Sequence, residues 1–387
     1  MRIIVAQISQ SALQLIIIVL LTKKTDLEYV GLYAVYSAWI NSGYQLFKIG
    51  IPKKILATAD DQNTKQYLSL GLILSLLLFS FGLFVVSLLF KVENTLLFVS
   101  ILIYRSAQMA QEAFNAFFLK ENLINDYWNT MFKANLVALF CFGIFIFINK
   151  SAASAFIASG LTLLCFILYS YRKVFRNEIK ITLIQGVSYL ELIKISLSDF
   201  VNSFKTSVPR IVIAEILGYS LAGIYTAIQQ SVALLEVLNQ SFLKYHNRDV
   251  VFNVSSKRRL ESFRTLLTII VKTTIITLLG YIVCFLFGET ILGIVFNQEY
   301  RAYINVLLLS IILRYFNMIT GIFRFTLIIQ EKILTGLIVS TIIFIGSLPF
   351  ISYSTTLNEI IHYLIVSELI SVILLSVIFW KEISNVE

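Results

Sequence analysis

Residues 333–353 read ILTGLIVSTIIFIGSLPFISY, a run of 21 residues without a charged side chain. A helix of about 20 apolar residues is long enough to cross the hydrocarbon core of a bilayer, so this stretch predicts a transmembrane helix. Similar runs recur along the chain and predict twelve spans: 3–22, 29–50, 68–90, 95–118, 130–149, 153–171, 192–217, 221–243, 266–288, 303–329, 333–353 and 358–380. The runs are continuous rather than alternating, which favours helices over a β-barrel.

The composition points to the same class of protein. The chain has 387 residues, of which 58% are hydrophobic and 14% charged, and its mean hydropathy is +0.84. Soluble domains carry about 25% charged residues. The connections between the predicted spans are short, so no soluble domain of ordinary size fits between them. We therefore predict an all-α, polytopic membrane protein.

The distribution of basic residues predicts the orientation. The chain has 31 Lys and Arg against 22 Asp and Glu, and most of the basic residues fall in one set of connections. The connections after the sixth and eighth spans are the most basic. By the positive-inside rule, both termini are expected in the cytoplasm. This basic surplus suits anionic lipid headgroups, and we predict no nucleic-acid partner.

The two halves of the chain resemble each other. At an offset of 192 residues, four polar residues of the first span fall on four polar residues of the seventh: Gln7, Gln10, Ser11 and Gln14 on Asp199, Asn202, Ser203 and Thr206. At the same offset, Ser37, Tyr44 and Lys48 fall on Gln229, Glu236 and Gln240. At an offset of 209, Arg105, Gln108 and Asn115 fall on Arg314, Asn317 and Arg324. These matches predict two six-helix bundles, 1–180 and 190–387, as parallel repeats about an axis along the membrane normal.

The matched polar residues follow single faces of their helices, with spacings such as i, i+3, i+4 and i+7. A polar stripe against lipid is unfavourable, so the striped helices are expected to face one another or a central, water-filled cavity. The predicted polar lining consists of Gln7, Gln10, Gln14, Asn202, Thr206, Gln229, Gln240 and Asn317. Alternatively, such side chains form only hydrogen bonds between helices.

Charged side chains within spans are costly and are typical of functional sites. The predicted cavity cations are Arg210, Arg105, Arg314, Arg324 and Lys48. They outnumber the carboxylates Asp199, Glu112 and Glu236, which are candidates for binding a coupling proton or sodium ion. The excess of cations favours an anionic substrate, and arginine suits phosphate because its fork donates two parallel hydrogen bonds. The alternative is that Arg105–Glu112 and Arg210–Asp199 form closed structural pairs.

Two further features complete the predicted site. Pro209 removes a backbone hydrogen bond beside Arg210 in the seventh span, and we predict a hinge there. The sequence indicates no cofactor and no metal site, since it has no cluster of Cys and His and no nucleotide-binding motif.

Several short segments resemble one membrane protein family. They are Leu-Gly-Tyr-x-x-x-Gly-Ile-Tyr at 217–225, Glu-Tyr-Val-Gly-Leu-Tyr at 28–33, Leu-Glu-Val-Leu-Asn-Gln at 235–240 and Phe-Asn-Gln-Glu-Tyr at 296–300. With twelve spans in two halves, the chain resembles the polysaccharide flippases of the multidrug/oligosaccharidyl-lipid/polysaccharide exporter superfamily. The resemblance covers essentially the whole chain, and its motifs are structural rather than catalytic.

The resemblance implies an O-antigen or capsule repeat-unit translocase. Such a protein moves a polyprenyl-diphosphate-linked oligosaccharide across the plasma membrane by alternating access, makes and breaks no bond, and works beside other polysaccharide assembly proteins. The alternatives are a cation-coupled multidrug antiporter of the same superfamily and, from another class, a membrane-bound polysaccharide polymerase or glycosyltransferase. An antiporter for cationic drugs would favour an acidic cavity, and an enzyme would need positioned carboxylates or a metal.

Overall fold

The described part of the protein consists of long helices. The computed structural model describes residues 2–48, 50–57, 61–89, 94–149, 151–175, 189–245, 250, 252–254, 259–329 and 332–384. Each predicted span lies on one long helical segment, with ends displaced by a few residues. The predicted boundary between the bundles is 181–189, and of this range 181–188 lies outside the described residues.

The chain divides into two units, Met1–Val208 and Pro209–Glu387. The helices that begin in the first unit are α1 (Arg2–Lys24), α2 (Leu27–Lys48), α3 (Ile51–Ala57), α4 (Asp61–Leu89), α5 (Thr95–Lys120), α6 (Ile124–Trp128), a π-helical turn (Asn129–Lys133), α7 (Ala134–Asn149), α8 (Ala152–Val174) and α9 (Tyr189–Leu217). The second unit continues with α10 (Tyr219–Tyr245), α11 (Arg259–Val295), a 3₁₀ turn (Gln298–Tyr303), α12 (Ile304–Ile329), α13 (Ile333–Ser352) and α14 (Leu357–Ser384). The division falls within α9, next to Pro209.

Seven of the described helical segments are long and apolar enough to cross a membrane. They are Thr64–Phe84, Ile124–Asn149, Ala152–Val174, Leu260–Val295, Gln298–Leu327, Leu334–Ser352 and Leu357–Lys381. Many large apolar side chains on these segments are exposed, including Phe140, Ile148 and Phe285. Such a surface requires lipid around it. The protein is therefore an all-α, multi-pass membrane protein, as the sequence predicts.

The internal packing of the two units follows one pattern. In the first unit α5 packs against α2, α4 and α8, while α2 also contacts α4 and α7 contacts α8. In the second unit α12 packs in the same way against α10, α11 and α14, while α10 contacts α11 and α13 contacts α14. Helices α5 and α12 are therefore equivalent central helices. The pattern of contacting helices is thus the same in both units.

Aromatic and aliphatic side chains fill the interior of each unit. In the first, Phe156 of α8 is fully buried and packs against Tyr33, Tyr104 and Phe142, at ring-centre distances of 5.3, 5.7 and 5.0 Å. In the second, a cluster that includes Phe323 lies between α11, α12 and α14. The ring contacts of Phe156 join α2, α5, α7 and α8 of the first unit, and this packing holds its charged helices in fixed positions.

A glycine separates the two helices that carry most of the second unit's predicted site. Gly218 adopts φ 92° between the end of α9 at Leu217 and the start of α10 at Tyr219. Glycine adopts this left-handed conformation without the steric cost of a Cβ, and it commonly ends helices. This residue belongs to the Leu-Gly-Tyr motif noted in the sequence.

A second glycine allows α5 and α8 to approach closely. A Cβ placed on Gly160 would lie 2.9 Å from Ile103 Cγ2 and 3.2 Å from the Tyr104 Cα. A Cβ on Gly143 of α7 would have nothing within 4 Å. Small residues at helix contacts are a common way to pack membrane helices.

We expect Gly160→Ala to destabilise the protein relative to Gly143→Ala by about 1–3 kcal/mol, because the added methyl group overpacks the contact with α5. Both substitutions raise helix propensity equally, so their difference isolates the clash. The measurement is the free energy of unfolding of each variant in detergent. Equal stabilities would contradict the close approach of these helices.

Candidate functional site

An ion pair joins α2 to α5 in the first unit. The Lys48 ammonium lies 2.5 Å from a Glu112 carboxylate oxygen, and the two side chains are 20% and 30% exposed. The same ammonium lies 5.6 Å from the centre of the Tyr44 ring, within range of a cation–π interaction. Lys48, a predicted cavity cation, and Glu112, a predicted coupling carboxylate, therefore form an ion pair.

Arg105 binds an amide of its own helix. Its Nη1 donates to Gln108 Oε1 at 2.7 Å, and Gln108 Nε2 donates in turn to the Tyr104 hydroxyl at 2.9 Å. The alternative in which Arg105 pairs with Glu112 is wrong, because Glu112 binds Lys48 of the neighbouring helix. Residues seven apart are separated by about 10.5 Å along a helix, which is too far for a close pair.

The first half of α9 lies along α2. Ser196 Oγ donates to the Gln45 and Leu46 carbonyls at 3.1 and 2.7 Å, and Ser203 Oγ donates to the Asn41 carbonyl at 3.4 Å. Asp199 lies between these two serines in the sequence, is partly buried and acts electrostatically on Lys48. Two of the three predicted carboxylates, Asp199 and Glu112, therefore share the surroundings of one lysine.

A second ion pair joins the equivalent helices of the second unit. Arg314 Nη1 of α12 donates to Glu236 Oε2 of α10 at 2.8 Å, and the two side chains are 16% and 31% exposed. Arg210 and Arg314 both act electrostatically on the buried Tyr225, so all these groups lie in one region of this unit.

The two pairs have opposite polarity. In the first unit the cation is on α2 and the carboxylate on α5, whereas in the second the carboxylate is on α10 and the cation on α12. The helices are equivalent, but the paired residues occupy different positions of the repeat. Glu236 falls on Tyr44 at the offset of 192, and Arg314 falls on Arg105 at the offset of 209.

Arg324 lies in a third group of contacts, between α12, α13 and α14. Its Nε donates to Ser340 Oγ at 3.1 Å, and Glu368 acts electrostatically on it. Glu368 is 2% exposed and accepts a hydrogen bond from Thr320 at 3.0 Å. The structure thus places Arg324 inside the second unit, beside a carboxylate that the predicted site did not include.

The predicted polar lining is only partly described. Gln229 is buried and its Nε2 donates to Ser310 Oγ at 2.9 Å, which makes it a contact between α10 and α12 rather than a residue on an open surface. Gln14 and Asn317 are partly buried, while Thr206 is exposed and donates to the Ser203 carbonyl. The side chains of Gln7, Gln10, Asn202 and Gln240 lie outside the described residues.

A polar network surrounds the π-helical turn, and no motif in the sequence indicates it. Gln111 Nε2 donates to the Thr130 carbonyl and, at 3.3 Å, to Asn135 Oδ1, while Thr130 Oγ1 donates to Asn115 Oδ1 at 2.7 Å. A π-helical turn releases a backbone carbonyl from the regular ladder, and here a side chain of α5 binds it. Gln111 is next to Glu112 in sequence, so the network adjoins the ion pair.

Metal binding finds no support in the described residues. Nowhere among them do three His, Cys, Asp or Glu side chains come together as ligands. The described site consists of ion pairs and amide hydrogen bonds inside a membrane protein. Such groups can bind and exchange ions or polar solutes.

The whole chain matches solved structures of one kind of transporter. It matches an inward-facing multidrug resistance MATE family transporter of the MOP superfamily with a TM-score of 0.72 and 14% identity, over 97% of this chain and 95% of that one. The protein has the MATE transporter fold. An outward-facing MATE transporter matches with a TM-score of 0.65 and 15% identity, over 99% and 94% of the two chains. A Vibrio cholerae MATE transporter matches with a TM-score of 0.66 and 11% identity, over 99% and 95%.

No protein-family model and no curated protein matches the sequence. Two of these matched structures are multidrug resistance transporters, and at 14% and 15% identity the match shows the fold of this chain.

Proposed function

We propose that the protein is a cation-coupled transporter that exports an amphipathic organic solute by alternating access. The observation that carries this proposal is the match of 97% of the chain to a multidrug resistance transporter. The ion pairs support it, because charged groups within membrane helices are expensive and are typical of ion and substrate pathways. Pro209, which lacks a backbone N–H inside α9, is the proposed hinge.

Glu112, Asp199 and Glu236 are the proposed sites of cation exchange. Lys48 and Arg314 already neutralise Glu112 and Glu236 with hydrogen-bonded contacts. A proton or sodium ion must therefore compete with a resident cation, and binding of either would release that cation. This competition can link ion binding to movement of α2 against α5 and of α10 against α12.

A second candidate is the flippase for polyprenyl-diphosphate-linked oligosaccharide. Arg105 favours it, because the partner of its guanidinium is the neutral amide of Gln108 and further N–H donors remain for a diphosphate. In this case the protein would lie in the plasma membrane with both termini in the cytoplasm, beside other polysaccharide assembly proteins.

Transport by the purified protein in proteoliposomes separates these candidates. We expect ethidium to be exchanged when a proton or sodium gradient is imposed, and we expect no lipid-linked oligosaccharide to accumulate in a deletion strain of the native host. Accumulated oligosaccharide without ethidium exchange would instead establish the flippase.

Variants of Arg105 provide a second way to distinguish the flippase from an exporter of cationic solutes. For a flippase, we expect Arg105→Ala to lose about tenfold or more in activity, because a charged hydrogen bond to phosphate is lost. Arg105→Lys should restore part of it, while the exposed Arg264→Gln serves as the matched control. For an exporter of cationic solutes, Arg105→Ala should leave exchange unchanged or faster.

A further inference from the structure

A cleft lies inside the first unit, beside the π-helical turn. It has a volume of about 250 Å³. Its walls come from the end of α5, from α6 with the π-helical turn, and from the end of α8. The lining residues are Phe118, Asp126, Asn129, Thr130, Lys133, Phe166, Tyr169, Ser170 and Lys173.

The charged residues that line the cleft are two lysines, Lys133 and Lys173, and one carboxylate, Asp126. Lys173 Nζ binds Asp126 Oδ1 at 2.6 Å and its side chain is 50% exposed. Lys133 of the π-helical turn also lines the cleft and is exposed. Among the lining residues, two cations thus face one carboxylate, and a positive charge remains for an anion. The partly buried Asn129 adds an amide beside Lys133.

The wall that carries Asn129 and Lys133 is held in place by α5. Thr130 is buried, its hydroxyl donates to Asn115, and its carbonyl accepts from Gln111. The π-helical turn is therefore fixed before any ligand binds. A preorganised site loses less free energy on binding than a mobile one.

The surroundings of the cleft point to lipid. On α7, the exposed Val137, Phe140 and Ile144 follow Lys133 at spacings of four, seven and eleven residues, along one helix face that begins at the cleft. On α8, the exposed Tyr169 lines the cleft, as expected for an aromatic residue at a membrane–water interface. The basic connection after α8 begins here, on the side predicted to be cytoplasmic.

We propose that this cleft binds the headgroup of an anionic phospholipid. Lys133 and Lys173 bind the phosphate, with Asn129 as a further donor, and the acyl chains lie along the face of α7 that carries Val137, Phe140 and Ile144. Asp126 positions Lys173 and weakens the site by its negative charge. The site is independent of the substrate that the protein transports.

The test is a lipid titration of the purified full-length protein in neutral detergent, followed by its thermal unfolding midpoint. We expect dioctanoyl-phosphatidylglycerol to raise the midpoint saturably, and dioctanoyl-phosphatidylcholine and inorganic phosphate to have no such effect. Lys133→Gln should weaken phosphatidylglycerol binding about tenfold, through the loss of one charged contact. The exposed Lys65→Gln is the control and should bind as the wild type.

Asp126→Asn should change the affinity for phosphatidylglycerol in the opposite direction to Lys133→Gln. We expect it to bind phosphatidylglycerol more tightly, because it removes the anion that competes for Lys173. Equal stabilisation by phosphatidylcholine would overturn the proposal, as would wild-type affinity in Lys133→Gln. Saturable stabilisation by inorganic phosphate alone would show a free-anion site and would equally overturn it.

Discussion

Glu236→Ala is expected to destabilise the protein by about 2–3 kcal/mol, because it leaves the Arg314 guanidinium without its carboxylate in the interior of the second unit. Arg314 is 16% exposed, so water replaces little of the lost interaction. We place the effect at or below the lower end of the range for a broken buried pair, since Glu236 is 31% exposed. The measurement is the free energy of unfolding in detergent, compared with that of the wild type.

Two double variants test whether the pair itself carries the effect. Glu236→Leu combined with Arg314→Met removes both charges, and should recover most of the stability while abolishing any exchange at this site. Glu236→Arg combined with Arg314→Glu restores an ion pair with the polarity found in the first unit. If Glu236→Ala were as stable as the wild type, the contact would have no energetic role.

Lys48→Ala is expected to make the stability of the protein depend on sodium. Without its ammonium, Glu112 and Asp199 lose a resident cation, and a sodium ion can take its place. Stabilisation by a ligand follows its concentration relative to its dissociation constant, and reaches about 2.7 kcal/mol at a hundredfold excess. We therefore expect the unfolding midpoint of Lys48→Ala to rise in sodium chloride and not in choline chloride.

Two further variants complete this experiment: one keeps a cation at position 48, and the other also removes the charge of Glu112. Lys48→Arg keeps a cation and should remain insensitive to sodium, like the wild type. Lys48→Ala combined with Glu112→Gln should lose the sodium response, because the carboxylate charge is removed. A sodium response as large in the wild type as in Lys48→Ala would contradict the role of Lys48 as a resident cation.

The helices themselves were predictable because apolar runs of about 20 residues have few other possible structures. The equivalence of α2 with α10 and of α5 with α12 was also predictable, since polar residues at helical spacing survive in both halves. The partners of the charged residues were not. Lys48, Glu112, Glu236 and Arg314 were all identified as site residues, yet their pairing depends on how neighbouring helices are rotated.

The sequence likewise does not predict the backbone conformation of the π-helical turn. Nothing in the sequence of residues 129–133 distinguishes it from a regular helix. Its conformation depends on Gln111, which reaches the Thr130 carbonyl from another helix. Glu368 was likewise absent from the predicted site, whereas in the structure it accepts a hydrogen bond from Thr320 and acts electrostatically on Arg324.

The sequence by itself determined that this chain lies in a membrane, that it is helical and that its halves repeat. These properties follow from hydrophobic length and periodicity, which each segment carries alone. Only the tertiary structure decided which carboxylate each cation binds and that Gln229 serves as a helix contact. It also decided that the two units use pairs of opposite polarity, because electrostatic and hydrogen-bond energies fall off within a few ångströms and depend on packing.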